Sequence, residues 1–423
     1  MLANLFEFRS NPSFSPSARM PGFVQRRMDE FYVDRMQGLW GGKHIMHGAQ
    51  PSHNAIQLMS NDYLSLVNHP QILQAQIVAL QNASNEVVMS GVFMHGENPV
   101  SAFEQRMATF CGYQAGILSQ SGYAANVGLI QALAEKNVPV YVDMHAHASL
   151  WEGVISAGAT PHAFRHNDPE HLERQMRQYG QGVLCVDSVY STLGSIAPLE
   201  GLVGVAEKYD SLIIVDESHS LGTHGAHGEG LVRQLGLHER VHFVTASLAK
   251  AFAARAGIVL CSEAFKEYFR CTARPAIFSS SLLNHEVAAL DKTMDIIQAD
   301  DWRRDKLFHN ARFLRRQLSD LGYNVRCSQS QIIPIEAGVE QDTLVLREKM
   351  EEQGVFGAVF CAPATPKKRS LVRLSVNAAL TVPQMIEIVR VMGEIRDDVG
   401  MWRWPSTLRG GAEAPSRAVL ANW

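Results

Sequence analysis

Six short runs in the middle of the chain are apolar at nearly every position: AGILSQ at 115–120, VPVYVD at 138–143, GVLCVDS at 182–188, SLIIVDE at 211–217, HFVTAS at 242–247 and AGIVLC at 256–261. Continuous rather than alternating hydrophobicity marks a strand covered on both faces. The intervening segments AANVGLIQALAE (124–135), DPEHLERQMRQYG (168–180) and LEGLVGVAEKYD (199–210) carry the spacing of helices. Strands of this kind separated by helices predict a large, mostly parallel α/β sheet. Upstream, NPVSAFEQRMATFCG (98–112) sets Val100, Phe103, Met107 and Phe110 on one helical face behind Pro99, and FVQRRMDEFYVDRM (23–36) reads as a further helix.

The texture changes after about residue 285. Long charged helical patterns (DWRRDKLFHNARFLRRQLSDLG, DTLVLREKMEEQG) alternate with the short strands QIIPIEAG and LVRLSV, which predicts a smaller α+β domain. The expected organisation is an N-terminal arm and helix over 1–60, a large α/β domain over 61–290, a small α+β domain over 291–400 and a mobile tail over 401–423. The arm is rich in Ser and Pro, and the tail in Pro, Gly and Ala.

Composition narrows the function classes. The chain has 423 residues, 46% of them hydrophobic and 19% charged, enough to fill a sizeable core. Lys and Arg number 38 against 42 Asp and Glu, a net charge of −4 that argues against a general nucleic-acid binder. No apolar run reaches the length of a membrane span, and the first twenty residues lack the order of a signal peptide, so a cytoplasmic protein without a membrane partner is expected. The six cysteines form no CxxC pair and read as reduced thiols. The seventeen histidines show no HExxH spacing, so no metal is expected.

Candidate chemistry collects where the strand patterns end. Ser121 and Gly122 follow the first run, His147 the second, Ser188 and Ser191 the third, Asp216 and His219 the fourth, and Lys250 the fifth. In open α/β sheets ligands bind at the carboxyl ends of strands, so these groups can share one rim. Each alone has a plainer reading: Asp216 as a helix cap, His219 as a satisfied polar residue, SGYAANVG as a turn, Lys250 as an exposed lysine. Together, an amine, a carboxylate, an imidazole and a small-residue anion site suggest pyridoxal 5′-phosphate, with a lysine to form a Schiff base and an acid to keep the pyridine nitrogen protonated.

The strings NDYLSL, SGYAANVG, AHASLWEG, VDESHSLGTHG and SLAKAFAARAG, in this order, resemble the α-oxoamine synthase family of fold-type I pyridoxal-phosphate enzymes. VDSVYSTLGSIAPL, PAIFSSSLL and GVFGAVFCAPAT are similar to its branch of cholera-type quorum-sensing autoinducer synthases. The likeness runs from about Phe23 to Val399. It implies a fold-type I transferase that is cytoplasmic, homodimeric with a shared active site, and active on an acyl-CoA and an amino substrate.

Residue by residue, the resemblance makes Lys250 the Schiff-base lysine and Asp216 the partner of the pyridine nitrogen. His219 faces the ring's phenolic oxygen, and His147 stacks on the ring. Gly122 and Tyr123 support the cofactor, Ser191 contacts it, and Ser247 stands at the phosphate. Ser279 and Ser280 match a segment that reaches the phosphate across a dimer interface. Asn61 and Arg373 would hold the substrate carboxylate, a task that suits a planar guanidinium. The chain departs from the wider family at VVMSGVFMHGENPVSAFE, where Met89, Val92, Phe93 and Met94 suggest either an apolar acyl pocket or simple core packing. The implied reaction is decarboxylative condensation of decanoyl- or octanoyl-CoA with S-adenosylmethionine or 2-aminobutyrate. The alternatives are 8-amino-7-oxononanoate or 5-aminolevulinate synthesis and, from another class, a non-catalytic cofactor-binding regulator.

Overall fold

The computed structural model describes residues 20–83 and 88–410; the expected arm up to residue 19 and the last part of the expected tail, 411–423, lie outside the described residues. The chain divides into two units, Met1–Gly48 and Ala49–Trp423. The described part of the first carries an α-helix over Gly22–Asp29 that passes into a π-helix over Glu30–Leu39. Its Phe31 ring meets Trp40 edge-on at 5.9 Å.

The second unit is built on two sheets. Strand β1 (Ile56–Leu58) belongs to a four-stranded sheet ordered β1-β10-β11-β9, with β9 at Ile332–Gly338, β10 at Val355–Phe360 and β11 at Ser370–Ser375. The seven-stranded sheet is ordered β2-β8-β7-β6-β5-β3-β4. Its strands are β2 (Ala115–Ser119), β3 (Pro139–Asp143), β4 (Thr160–Phe164), β5 (Val183–Asp187), β6 (Leu212–Asp216), β7 (Phe243–Ser247) and β8 (Gly257–Cys261). All six apolar runs are strands. Its six inter-strand pairs fall into two kinds: β4, β3, β5, β6 and β7 run parallel, while β8 is antiparallel to both β7 and β2.

The parallel block explains the continuous apolar pattern. β5 is buried along its whole length, and its side chains divide between two clusters: Leu184 and Val186 join one, Val183 and Cys185 the other. The two faces are thus covered by different helices. The register aligns Asp187 at the end of β5 with Asp216 at the end of β6, so both carboxylates reach the same rim.

Two expected boundaries move. The N-terminal unit was expected to run to residue 60, but it ends at Gly48, and Ile56–Leu58 pairs in parallel with Val355–Gly357 of β10 in the small sheet. The tail was expected to begin at residue 401, yet Met401–Arg403 form a 3-10 turn and Pro405–Gly410 a short helix. Met401 and Trp404 are buried in the main core, and Asn324 Nδ2 donates to the Ser406 carbonyl at 2.7 Å.

One buried charge cluster ties the sheet edge together. Glu104, 2% exposed on the helix Pro99–Cys111, accepts from Lys266 Nζ at 2.9 Å, Arg270 Nη2 at 2.8 Å and the Leu118 N–H of β2 at 2.8 Å. Removing one partner of a buried pair leaves uncompensated charge. Glu104→Ala is therefore expected to lower the unfolding free energy by about 3–5 kcal/mol, measured by denaturant titration.

Candidate active site

Seven of the expected site residues line one cavity of about 170 Å³: Gly122, Tyr123, His147, Asp216, His219, Ser247 and Lys250. The ends of β2, β3, β5, β6 and β7 supply its floor. Helix Gly122–Leu133 begins at the cavity, with Ser121 Oγ capping it by accepting from the Ala124 N–H at 3.1 Å. The first N–H groups of such a helix, with its dipole, make an anion site. Position 122 needs glycine because a Cβ there would stand 2.6 Å from the Ser247 side chain and 2.8 Å from its Cα. The close approach brings the helix start and the end of β7 together at the cavity.

Asp216 is nearly buried and held by two donors, Asn126 Nδ2 at 2.6 Å and the Ser218 N–H at 2.8 Å. Asn126 is itself oriented: its Oδ1 accepts from Thr245 Oγ1 at 2.6 Å, and its Nδ2 also reaches Ser149 Oγ at 2.8 Å. The same Ser149 hydroxyl lies 2.7 Å from His147 Nδ1, so one network fixes both the acid and the ring expected to stack. The neighbouring Asp187 is fully within the protein, and burial, then the charge of Asp216, pushes its carboxyl well above the usual carboxylate range. It accepts from the His147 N–H at 3.1 Å.

Lys250 is half-buried, and its amine has no hydrogen bond or ion pair among the described residues. Burial lowers its pKa from the ordinary lysine value, the Arg373 charge lowers it further, and Asp216 acts in the opposite sense. Burial also lowers the pKa of His147, with Asp216 opposing and Lys250 adding to the shift. His219 is driven well below the usual imidazole value by burial, and then by Lys250, Arg373 and His147.

Asn61 and Arg373 come together in the structure. Arg373 Nη2 donates to Asn61 Oδ1 at 2.7 Å, Nη1 donates to the Ser191 carbonyl at 3.0 Å, and the guanidinium lies 4.5 Å from the Phe360 ring centroid. Its Nε is buried without a hydrogen-bond partner among the described residues. Ser191 joins through its backbone carbonyl and is not among the residues lining the cavity. Ser279 and Ser280 lie outside the cavity: Ser279 Oγ donates to the Pro275 carbonyl, and Ser280 faces a separate groove with Gln120, Arg255 and Leu282. Of the apolar stretch, Met89 and Val92 are half-buried, Phe93 is exposed and Met94 packs half-buried on the core; none lines this cavity.

Sequence reading passed over Tyr63, Asn126, Ser149, Asp187 and Ser218. Only Asp187 carried a usable signal, since it ends an apolar run as Asp216 does.

Comparison with known proteins supplies the family. The family model described as aminotransferase class I and II matches residues 53–392. The chain belongs to the aminotransferase class I and II family. Within this family it is similar to the CAI-1 autoinducer synthase of Vibrio campbellii, 45% identical over 86% of this chain and 92% of the relative. It is 31% identical to the 8-amino-7-oxononanoate synthase of Alkaliphilus metalliredigens, over 90% of this chain and 98% of that one. Among solved structures, serine palmitoyltransferase of S. paucimobilis with bound PLP and myriocin superposes with a TM-score of 0.83 at 26% identity, covering 89% of this chain and 99% of that one. The family member described here is thus an acyltransferase of the α-oxoamine synthase type with the fold-type I architecture, and pyridoxal 5′-phosphate is its cofactor. The residues fit that group: an uncommitted amine, a carboxylate with both oxygens held, and a glycine-tight anion cradle share one cavity. Among the described residues no group of His, Cys, Asp and Glu could hold a metal ion, and no helix is long and apolar enough to cross a membrane.

Proposed function

We propose that the protein condenses a medium-chain acyl-CoA, octanoyl or decanoyl, with S-adenosylmethionine or 2-aminobutyrate, releasing CoA and carbon dioxide and giving an α-aminoketone-type autoinducer precursor. The observation that carries this reading is the 45% identity with an autoinducer synthase over most of both chains, against 31% for the 8-amino-7-oxononanoate synthase. A homodimer in which Ser279 and Ser280 serve the partner's phosphate accords with their position outside this chain's own cavity.

Arg373 and Asn61 hold the amino substrate's carboxylate, and the planar guanidinium fixes its orientation. Bound pyridoxal phosphate supplies an electron sink for the pair left at Cα when its proton departs. Lys250 takes that proton; its lowered pKa keeps more of the amine in the neutral, basic form near pH 7 than an exposed lysine would have. Asp216 stays opposite as the acid that keeps the sink effective. The Cα–C bond to the acyl carbonyl forms, the C–S bond breaks, and the CoA thiolate leaves. The carboxylate is then lost as carbon dioxide, and Lys250 returns its proton to Cα. His147 is positioned by Ser149 and Asp187 to donate to the acyl oxygen as it becomes negative. With S-adenosylmethionine, the sulfonium group must also be eliminated.

The test is the product's mass after incubation with a series of acyl-CoAs and each amino donor. An aminoketone from the C8 or C10 thioester and either of the two donors is expected. Efficient turnover of glycine with succinyl-CoA, and none with the longer thioesters, would overturn the assignment.

A further inference from the structure

Tyr63 is fully buried, and its hydroxyl oxygen lies 2.7 Å from His219 Nδ1. The same hydroxyl faces Asn61 Oδ1 at the longer distance of 3.4 Å. That amide oxygen already accepts from Arg373 Nη2 at 2.7 Å, and because arginine only donates, the orientation of the amide is fixed. A continuous line therefore runs from the guanidinium that would take the substrate carboxylate, through Asn61 and Tyr63, to the imidazole in the cofactor cavity. Gln331 Nε2 anchors the far end by donating to the His219 carbonyl at 2.8 Å.

Counting protons gives this line two states. Burial pushes the Tyr63 pKa up to about 12, with Arg373 opposing, so the group is a phenol with one O–H at neutral pH. His219 is held neutral by burial and by the cations Lys250 and Arg373, with His147 adding to the effect, so it carries one N–H. In the first arrangement Tyr63 donates to Nδ1, and the imidazole proton sits on Nε2. In the second, Nδ1–H donates to the Tyr63 oxygen, Tyr63 donates to Asn61 Oδ1, and Nε2 presents a lone pair. Both hold one proton on oxygen and one on the ring; only the nitrogen that bears it differs.

We propose that Tyr63 is a positioning residue that selects the tautomer of His219 according to whether a carboxylate occupies Arg373. With Arg373 donating to Asn61 Oδ1 at 2.7 Å, Tyr63 stands off that oxygen at 3.4 Å and has its nearer partner in His219 Nδ1 at 2.7 Å, so the first arrangement holds. A carboxylate on Arg373 draws the guanidinium donors to itself and releases Asn61 Oδ1 for Tyr63. His219 Nε2 then loses its N–H and presents a lone pair, so it would no longer donate a hydrogen bond to the ring oxygen of a bound cofactor. Substrate docking is thereby communicated to the cofactor's electronics before the acyl-CoA arrives. This inference rests on the carboxylate-clamp and cofactor-facing roles proposed above, but not on the identity of the acyl donor.

The experiment uses the cofactor-loaded protein without any acyl-CoA. The probe is butyrate, which has the carboxylate but no amine to compete with Lys250. The pH midpoint of the visible absorbance band is expected to shift when butyrate is added to the wild type, and this shift is expected to vanish in Tyr63→Phe. In parallel, ¹⁵N spectra of histidine-labelled wild-type protein are expected to show His219 moving from the Nε2-H to the Nδ1-H form on butyrate addition. A Tyr63→Phe protein with the full butyrate-induced shift, or a His219 tautomer unchanged by butyrate in the wild type, overturns the proposal. The ¹⁵N measurement decides the matter even if Tyr63→Phe retains no cofactor. Because no turnover is read, failure of the acyl-donor assignment would appear only in the product masses.

Discussion

Lys250→Ala is expected to remove the visible absorbance band that cofactor addition produces and to lower the condensation rate by at least about 10³-fold, within the range for losing a positioned base. Two losses combine in this one side chain: the amine that joins the aldehyde and the base that takes the Cα proton. The fold should be unaffected. The Lys250 amine has no hydrogen bond or ion pair to lose among the described residues, and the loop backbone is held by other bonds, Ala253 N–H to the Lys250 carbonyl at 2.9 Å and Leu248 N–H to the Ala256 carbonyl at 2.9 Å. Equal far-ultraviolet circular dichroism and unfolding midpoints in the two apo-proteins check this. The sign of the pH dependence also follows. Burial and Arg373 lower the Lys250 pKa, so cofactor uptake by the apo-protein should accelerate with rising pH and level off below the roughly 10.4 of a free lysine. Full-rate product formation by Lys250→Ala would defeat the catalytic reading.

Much of this site was legible because a parallel sheet writes itself plainly in sequence. Strands covered on both faces are apolar throughout, and the first polar residue after each run marks the rim. Lys250, Asp216, His219 and His147 follow from that rule together with the quoted motifs. What escaped has specific causes. β4 reads TPHAF, and four of its five positions are exposed or half-buried at the sheet edge, so it carries no apolar run. Ile56–Leu58 is three residues long and acquires its strand character only by pairing with Val355–Gly357, a partner that local pattern cannot reveal. The 401–410 segment looks like a tail by its Pro and Gly content, but its tryptophan and methionine serve the core. Tyr63 and Asn126 act through hydrogen bonds to residues 156 and 90 positions away, His219 and Asp216, a relation invisible to spacing.

Asp216→Asn is expected to cost about 10²–10³-fold in turnover, the size of effect seen when one preorganised electrostatic group is removed from an active site, while the protein still binds the cofactor. The amide is nearly the same shape as the carboxylate, so the expectation turns on charge and on donor count. Asp216 accepts from Asn126 Nδ2 at 2.6 Å on one oxygen and from the Ser218 N–H at 2.8 Å on the other. An asparagine has one accepting oxygen; its NH₂ must then confront one of those two donors. The turn from Asp216 to His219 or the Asn126 side chain has to give way, at a cost of about 1–3 kcal/mol for the unsatisfied group. Loss of the charge acts in a second place. Asp216 helps to raise the pKa of Asp187, so the Asp187 carboxyl should ionise at lower pH in the variant. Asp187 accepts from the His147 backbone N–H, and a more anionic Asp187 should strengthen that bond rather than release it. The rate loss should therefore not trace to a displaced His147. Steady-state kinetics separate the contributions: a fall in kcat with little change in KM for either substrate is expected, because Arg373 and Asn61 remain in place to hold the carboxylate. A rise in KM for the amino donor with kcat preserved would instead assign Asp216 to substrate binding and remove it from the role of acid beside the pyridine ring.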